Sequence, residues 1–178
     1  MIHKNGSAYF TDPPYGLEKG GDTTARDIEF NGVYRVDPDG MVTLVTREMT
    51  KPNGIALSPD QSTLFVGQSD SNAPVWRTFE IQDDGSLGPG RIFFDAKKLV
   101  NQGLKGSPDG FKIDQSGNLL ATCPGGVLVI SPEGKHLGTI STGELISNCA
   151  FGDDGGTLYM TSHMYLCRVR LKTRGLGF

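Results

Sequence analysis

The chain has 178 residues, among them 25 glycines and 10 prolines, and carries a formal net charge of -3 at pH 7. That length suffices for one hydrophobic core. The mixed charge leaves no basic stripe of the kind a nucleic-acid or anionic-membrane surface needs. No apolar run approaches the ~20 residues of a spanning helix. The opening MIHKNGSAYF has one lysine and no apolar stretch behind it, so no signal peptide is visible and the chain reads as cytoplasmic. Cys123, Cys149 and Cys167 are widely spaced, odd in number and without a CxxC. They read as buried free thiols on strands, not as a zinc or redox motif.

Taken in chain order, short alternating or β-branched runs recur: SAYFT, GVYRV, MVTLV, GIALS, TLFVG, VWRTFEI, RIFFD, GFKID, NLLAT, GVLVI, HLGTI, NCAFG, TLYMT and YLCRVRL. DPDG, SPDQS, DDGS, DQSGN, SPEGK and DDGG, all turn chemistry, lie between them. No window holds a helical period over ~11 residues. Residues 95–106 are the one place for a short helix or long loop. The spacing therefore predicts an all-β chain of hairpins.

The hairpins follow a longer period. PNGIALSPDQSTLFVG (52–67), PDGFKIDQSGNLLATC (108–123) and SNCAFGDDGGTLYMTS (147–162) are versions of one unit: polar residue, strand, Gly/Asp turn, strand. Asn53 precedes Leu64 by eleven positions; Asp109 precedes Leu119 by ten, and Asn148 precedes Leu158 by ten. The three polar residues thus occupy one structural position in successive units. Their separations, 56 (109 − 53) and 39 (148 − 109), bracket the period of about 40–50 residues of a four-stranded propeller blade. Labelling strands A to D outward from the axis, Asn53 stands where strand A begins. Strand B returns to that face. The segments after strand B bring Asp12, Tyr15, Asp70 and His163 to the same mouth.

Oxygen donors converging on a propeller axis make a hard-cation site. Asn and Asp also start strands because they suit turns before Gly, and PNG and PDG are good turns in their own right. Spacing alone leaves both readings open for Asn53 and Asp109. Asp60, Asp114 and Asp153 fall in A–B turns and read as turn residues. HExxH, GxSxG and phosphate-loop patterns are absent.

YFTDPPYG (9–16), GVYRVDPDG (32–40), KPNGIALSPD (51–60), SPDGFKIDQSGNLLAT (107–122) and NCAFGDDGGTLYMTS (148–162) resemble the gluconolactonase branch of the SMP-30/gluconolactonase/luciferin-regenerating-enzyme family, its C-terminal portion only. The resemblance implies a six-bladed propeller with a divalent cation on its axis that hydrolyses sugar lactones. It assigns Asn53 and Asp109 as metal ligands and Asp109 as general base. Calcium is the cation best matched, with Zn2+, Mg2+ and Mn2+ as alternatives. Asp12, Tyr15 and Asn148 are the substrate-side candidates. The family's early Glu and Asn ligands have no counterpart here. Counting back from Tyr9, the first blade's axial residue falls before Met1.

The expectation is a single partial propeller domain over 1–178: an open arc of about four blades, the first lacking its inner strand and the last its outer one. A small-molecule lactone is the expected partner, without nucleic acid or membrane. Open blade edges invite self-association. Two other readings stand beside the lactonase: a non-catalytic propeller interaction module and an inactive truncated fragment.

Overall fold

The computed structural model describes residues 1–17, 28–104 and 106–178. Its strands form four antiparallel sheets in chain order. The first contains β1 (Ala8–Asp12), β2 (Gly32–Val36) and β3 (Val42–Thr46). The second contains β4 (Pro52–Leu57), β5 (Thr63–Gln68), β6 (Val75–Glu80) and β7 (Arg91–Asp95). A one-turn helix, α1 (Lys97–Val100), falls inside the 95–106 window; position 105 of that window lies outside the described residues. The third sheet contains β8 (Phe111–Ile113), β9 (Leu119–Cys123), β10 (Gly126–Ile130) and β11 (His136–Ile140). The fourth contains β12 (Ile146–Gly152), β13 (Thr157–Ser162) and β14 (Tyr165–Arg170).

Each sheet is a meander, and the sheets stack through their inner strands. β4 touches β1 on one side and β8 on the other, and β8 touches β12. This is the predicted arc of propeller blades, with three, four, four and three strands.

Strand alternation explains the stacking. On β5, Leu64 and Val66 point toward the first blade, joining Tyr9, Val33, Met49, Leu57 and Phe79 in one core. Phe65 points the other way, into a second core with Trp76, Phe111, Leu119 and Leu128. Leu120 and Val127 leave the opposite face of the third blade to meet Ile146, Cys149, Leu158 and Met160. Period-two side chains thus give each middle blade two buried faces. A fully buried Leu, Val or Phe contributes about 1.5–3 kcal/mol, so the three inter-blade cores hold the arc together.

The A–B turns behave as their sequence predicts. Asp114 is 1% exposed and accepts from the Ser116 and Asn118 amides and from Asn118 Nδ2, at 2.8–2.9 Å. Asp60 accepts from Ser58 Oγ at 2.6 Å and from the Ser62 amide and hydroxyl. Gln61 and Asp153 take left-handed φ values of 62° and 57°.

Three local expectations change. The inner strand of the first blade is present as a stub: Ile2 bridges to Ala8, and Met1 and Tyr9 exchange backbone bonds of 2.7 and 2.8 Å. Two residues carry no readable alternation. Cys123 and Cys149 are buried, but Cys167, on the outermost strand of the fourth blade, is only half-buried at the rim of the third core. The chain after β14 does not trail away. The Gln115 amide donates to the Arg174 carbonyl at 2.8 Å, Gly175 donates to Gly155 at 3.0 Å, and Leu176 packs on the second core. Among the described residues no helix is long and apolar enough to cross a membrane.

Candidate functional site at the start of the inner strands

Pairing register puts Asn53, Asp109 and Asn148 at equivalent points. Leu57 faces Leu64, Ile113 faces Leu119 and Phe151 faces Leu158 at one end of each A–B pair. At the other end Pro52 faces Gln68, the Asp109 amide donates to Thr122 at 3.3 Å, and Asn148 faces Thr161. The three polar residues therefore share one face of the arc.

Glycine lets them crowd there. A Cβ on Gly54 would stand 2.3 Å from the Asp109 carbonyl oxygen. A Cβ on Gly110 would stand 2.2 Å from the Asn148 side-chain carbonyl. The glycines that follow Asn53 and Asp109 are thus required by the approach of the next blade's axial segment. Further bonds fix that spacing: Gly110 donates to the Ser147 carbonyl at 3.0 Å, and Thr122 Oγ1 donates to the Gly110 carbonyl at 2.8 Å.

Asp109 differs from the turn aspartates. Burial pushes its carboxyl above the ordinary range, opposed by hydrogen bonds from the Asn53 side chain and the Gly110 amide. Asp60 goes the opposite way, to about 2, because its own turn's hydroxyls and amide solvate the carboxylate. Asp109 thus sits against the neighbouring blade.

Asn53 and Asp109 come together and Asn148 lies beside them against Gly110. The Asn148 side-chain oxygen accepts from the Cys149 amide at 2.9 Å, which turns its NH2 outward as a donor. That end also lines an open hollow of about 350 Å3 shared with Tyr159, Thr161 and Leu166. Asp12 and Tyr15 reach the same face at the end of β1, where Thr11 Oγ1 donates to the Asn53 carbonyl at 2.7 Å. Asp12 is exposed and sits near Tyr34, whose phenol is raised first by burial and then by the Asp12 charge. Tyr15 is exposed in a short 3-10 turn. No hydrogen bond among the described residues joins Asp12 or Tyr15 to Asn53 or Asp109. Asp70 accepts from Thr50 Oγ1 at 2.6 Å, and His163 holds a left-handed turn with its amide on the Leu145 carbonyl.

Sequence reasoning missed Ser69 and Thr11. Both touch Asn53 or its backbone; each ends a strand B just before Asp70 or Asp12, a recurrence that marks the position but not its partner across the blade boundary. Among the described residues no group of three or more His, Cys, Asp or Glu gathers in a metal-binding cluster. The donors at the axial line are an amide and a carboxylate.

The repeat and the arc together define part of a β-propeller. The chain belongs to the SMP-30/gluconolactonase/LRE-like family, whose model matches residues 1–164. It is 42% identical over 179 aligned residues to a gluconolactonase of Zymomonas mobilis, covering 98% of this chain and 50% of that protein. A lactonohydrolase of Aspergillus oryzae is 27% identical, with 98% of this chain and 44% of that protein covered. The solved structure of a gluconolactonase from Xanthomonas campestris superposes with a TM-score of 0.82 at 32% identity, over 96% of this chain and 55% of that one. The chain spans about half the length of the curated relatives it matches.

Proposed function

We propose that this chain carries the Asn/Asp half of a metal-dependent lactonase site acting on a sugar lactone. One observation carries the reading: Asn53 and the half-buried Asp109 meet across the blade boundary, with Gly54 close against the Asp109 carbonyl and Ser69 touching both Asn53 and Pro108. The gluconolactonase and lactonohydrolase relatives supply the substrate class, and the family resemblance supplies the roles of Asn53 and Asp109.

The donor set fits a hard cation. Asn53 and Asp109 offer oxygen only, and calcium takes six to eight oxygen ligands at 2.3–2.6 Å. The amide oxygen of Asn53 carries no hydrogen bond among the described residues, and Asp109 is a carboxylate without an ion-pair partner among them. A divalent ion held there would polarise the lactone carbonyl and acidify water beside it. With one carboxylate on this chain, water or residues outside it must complete the shell.

Asp109 then has two tasks. Its carboxylate neutralises part of the cation's charge. It also takes a proton from the attacking water as that water adds to the ring carbonyl. A carboxylate is a weak base, and a cation that acidifies the water would offset that weakness. Asn148, with its NH2 turned out, is placed to donate to a sugar hydroxyl. Asp12 and Tyr15 line the rim and meet more distant hydroxyls. Ring opening leaves a hydroxy acid whose carboxylate and alcohol no longer share one ring.

The test grafts this chain in place of the matching half of the Zymomonas gluconolactonase. The chimera should hydrolyse glucono-1,5-lactone in a pH-stat assay, lose that activity in chelator, and regain it with Ca2+. Asp109→Asn should reduce turnover at least ~100-fold, the size typical of a lost general base. A folded, active chimera indifferent to Asp109→Asn would overturn the assignment, and one active without metal would overturn the cation.

A further inference from the structure

We propose that Ser69 is a positioning residue for the site: its hydroxyl fixes which end of the Asn53 amide faces the axis and ties Asn53 to the segment that carries Asp109. The inference rests on the proposed roles of Asn53 and Asp109.

Ser69 follows the end of β5, one residue beyond Gln68. Its hydroxyl meets two groups. Asn53 Nδ2 lies 2.9 Å away, and the Pro108 carbonyl oxygen is closer still. A serine hydroxyl has one proton to give and lone pairs to receive. The Pro108 carbonyl can only accept, so the Ser69 proton goes to Pro108. The hydroxyl must then accept from Asn53. An amide oxygen in that place would face a lone pair, so the Asn53 NH2 group is the end that faces Ser69. The orientation follows from this proton count. The Asp109 carboxylate nearby also only accepts, so the NH2 end is the one that suits it too. The Asn53 oxygen is left without a hydrogen bond among the described residues, free for a cation.

The Pro108 bond adds a second effect. Pro108 is buried and immediately precedes Asp109. Ser69 belongs to the second blade and Pro108 to the third, so one hydroxyl pins the distance between the two proposed ligands. Thr11 Oγ1 holds the Asn53 backbone from the first blade at 2.7 Å. The metal ligand is thereby braced from both neighbours, as supporting shells brace ligands generally. Spacing along the chain could not reveal this, because Ser69 acts across a blade boundary.

The test uses the 178-residue chain, isotope-labelled for NMR. In the unchanged protein the two Asn53 side-chain amide protons should give separate signals that exchange slowly with water. The signals are identified by their loss in Asn53→Ala. Ser69→Ala should bring them toward free-amide positions and speed their exchange at least ~10-fold, while Ser69→Thr, which keeps the hydroxyl, should preserve them. Calorimetry with Ca2+ on the same proteins should show the Ala variant weaker by ~10-fold or more and the Thr variant close to the parent, since loss of a ligand's supporting partner costs 10–100-fold in affinity. If Ser69→Ala does not fold, Ser69→Cys supplies the comparison, because a thiol is a poor donor and acceptor. Unchanged Asn53 amide signals in a folded Ala or Cys variant would overturn the role of Ser69. A parent chain that binds no Ca2+, or binds it equally well as Asn53→Ala, would overturn the proposed site instead. The amide signals still decide Ser69 in that case.

Discussion

Aspartates in this chain do two kinds of work, and their surroundings separate them. Asp60 is exposed, yet its carboxyl falls to about 2, first through the Ser58 hydroxyl and then through the Ser62 amide and hydroxyl. These bonds form only when the A–B turn forms. The folded pKa therefore lies below the unfolded value of 3.8. The stability gained is fully present above pH 3.8 and is lost as pH falls through about 2. Solvent screening of an exposed group keeps the contribution below ~1 kcal/mol. Asp60→Asn should flatten the fall in melting temperature between pH 4 and pH 2, followed by circular dichroism; an unchanged slope would mean that the turn bonds do not persist in solution. Asp109 lies on the other side of this division, raised by burial and set against the Asn53 side chain of the preceding blade. The sequence offers only PNG and PDG, equally good as turns and as ligand starts. Three-dimensional partners separate the two.

At the scale of strands, alternation and turn residues made most of the fold legible. The LFV of β5 is apolar on both faces because blades pack on both sides, and DQSGN, SPDQS and DDGG each close an A–B pair. The offsets of Asn53, Asp109 and Asn148 from the following leucines, eleven, ten and ten, anticipated the register at the axial ends. What was not legible lacks period or acts across sheets: the Met1–Ile2 stub, the segment after β14 that returns to Ile113 and Gly155, and Ser69 between two blades. The glycines of the axial units were legible as turn residues, but their steric duty was not. Gly54 is the sharper test, since its backbone lies outside the left-handed region and a methyl group there meets the Asp109 carbonyl at 2.3 Å. Backbone cannot move aside as a side-chain tip can. Gly54→Ala should cost about 1–3 kcal/mol, the range for overpacking, and should also weaken Ca2+ binding by moving β4 off the Asp109 segment. Gly138→Ala is the control: its Cβ would meet nothing within 4 Å. Urea titration of both variants measures the difference, and equal stabilities would refute the close approach.

For the whole arc, the consequence lies at its two ends. Each middle blade buries both faces, whereas the first and fourth bury one. The first blade's free side exposes Phe10 at 41% and Leu44 at 37%, with Phe10 stacked on Tyr34 at 5.5 Å. The fourth exposes Leu166 at 72%. These are the apolar positions that face a neighbour elsewhere in the repeat, so the molecule presents half of a blade interface at each end. Charge does not oppose contact, for Asp12 stands at the first end and Arg168 on β14 at the other. Exposed apolar faces and unpaired strand edges drive association. At micromolar concentration, where such surfaces associate, sedimentation should find species heavier than the 19.1 kDa chain. Leu166→Lys should shift the distribution toward monomer, and Phe10→Lys should do the same from the opposite end. If the ends met like to like, either single change would weaken only its own contact. If they met head to tail, either change would weaken every contact, and combining them would add little. A monodisperse monomer with a sharp cooperative melt would show instead that each end face is satisfied within one chain.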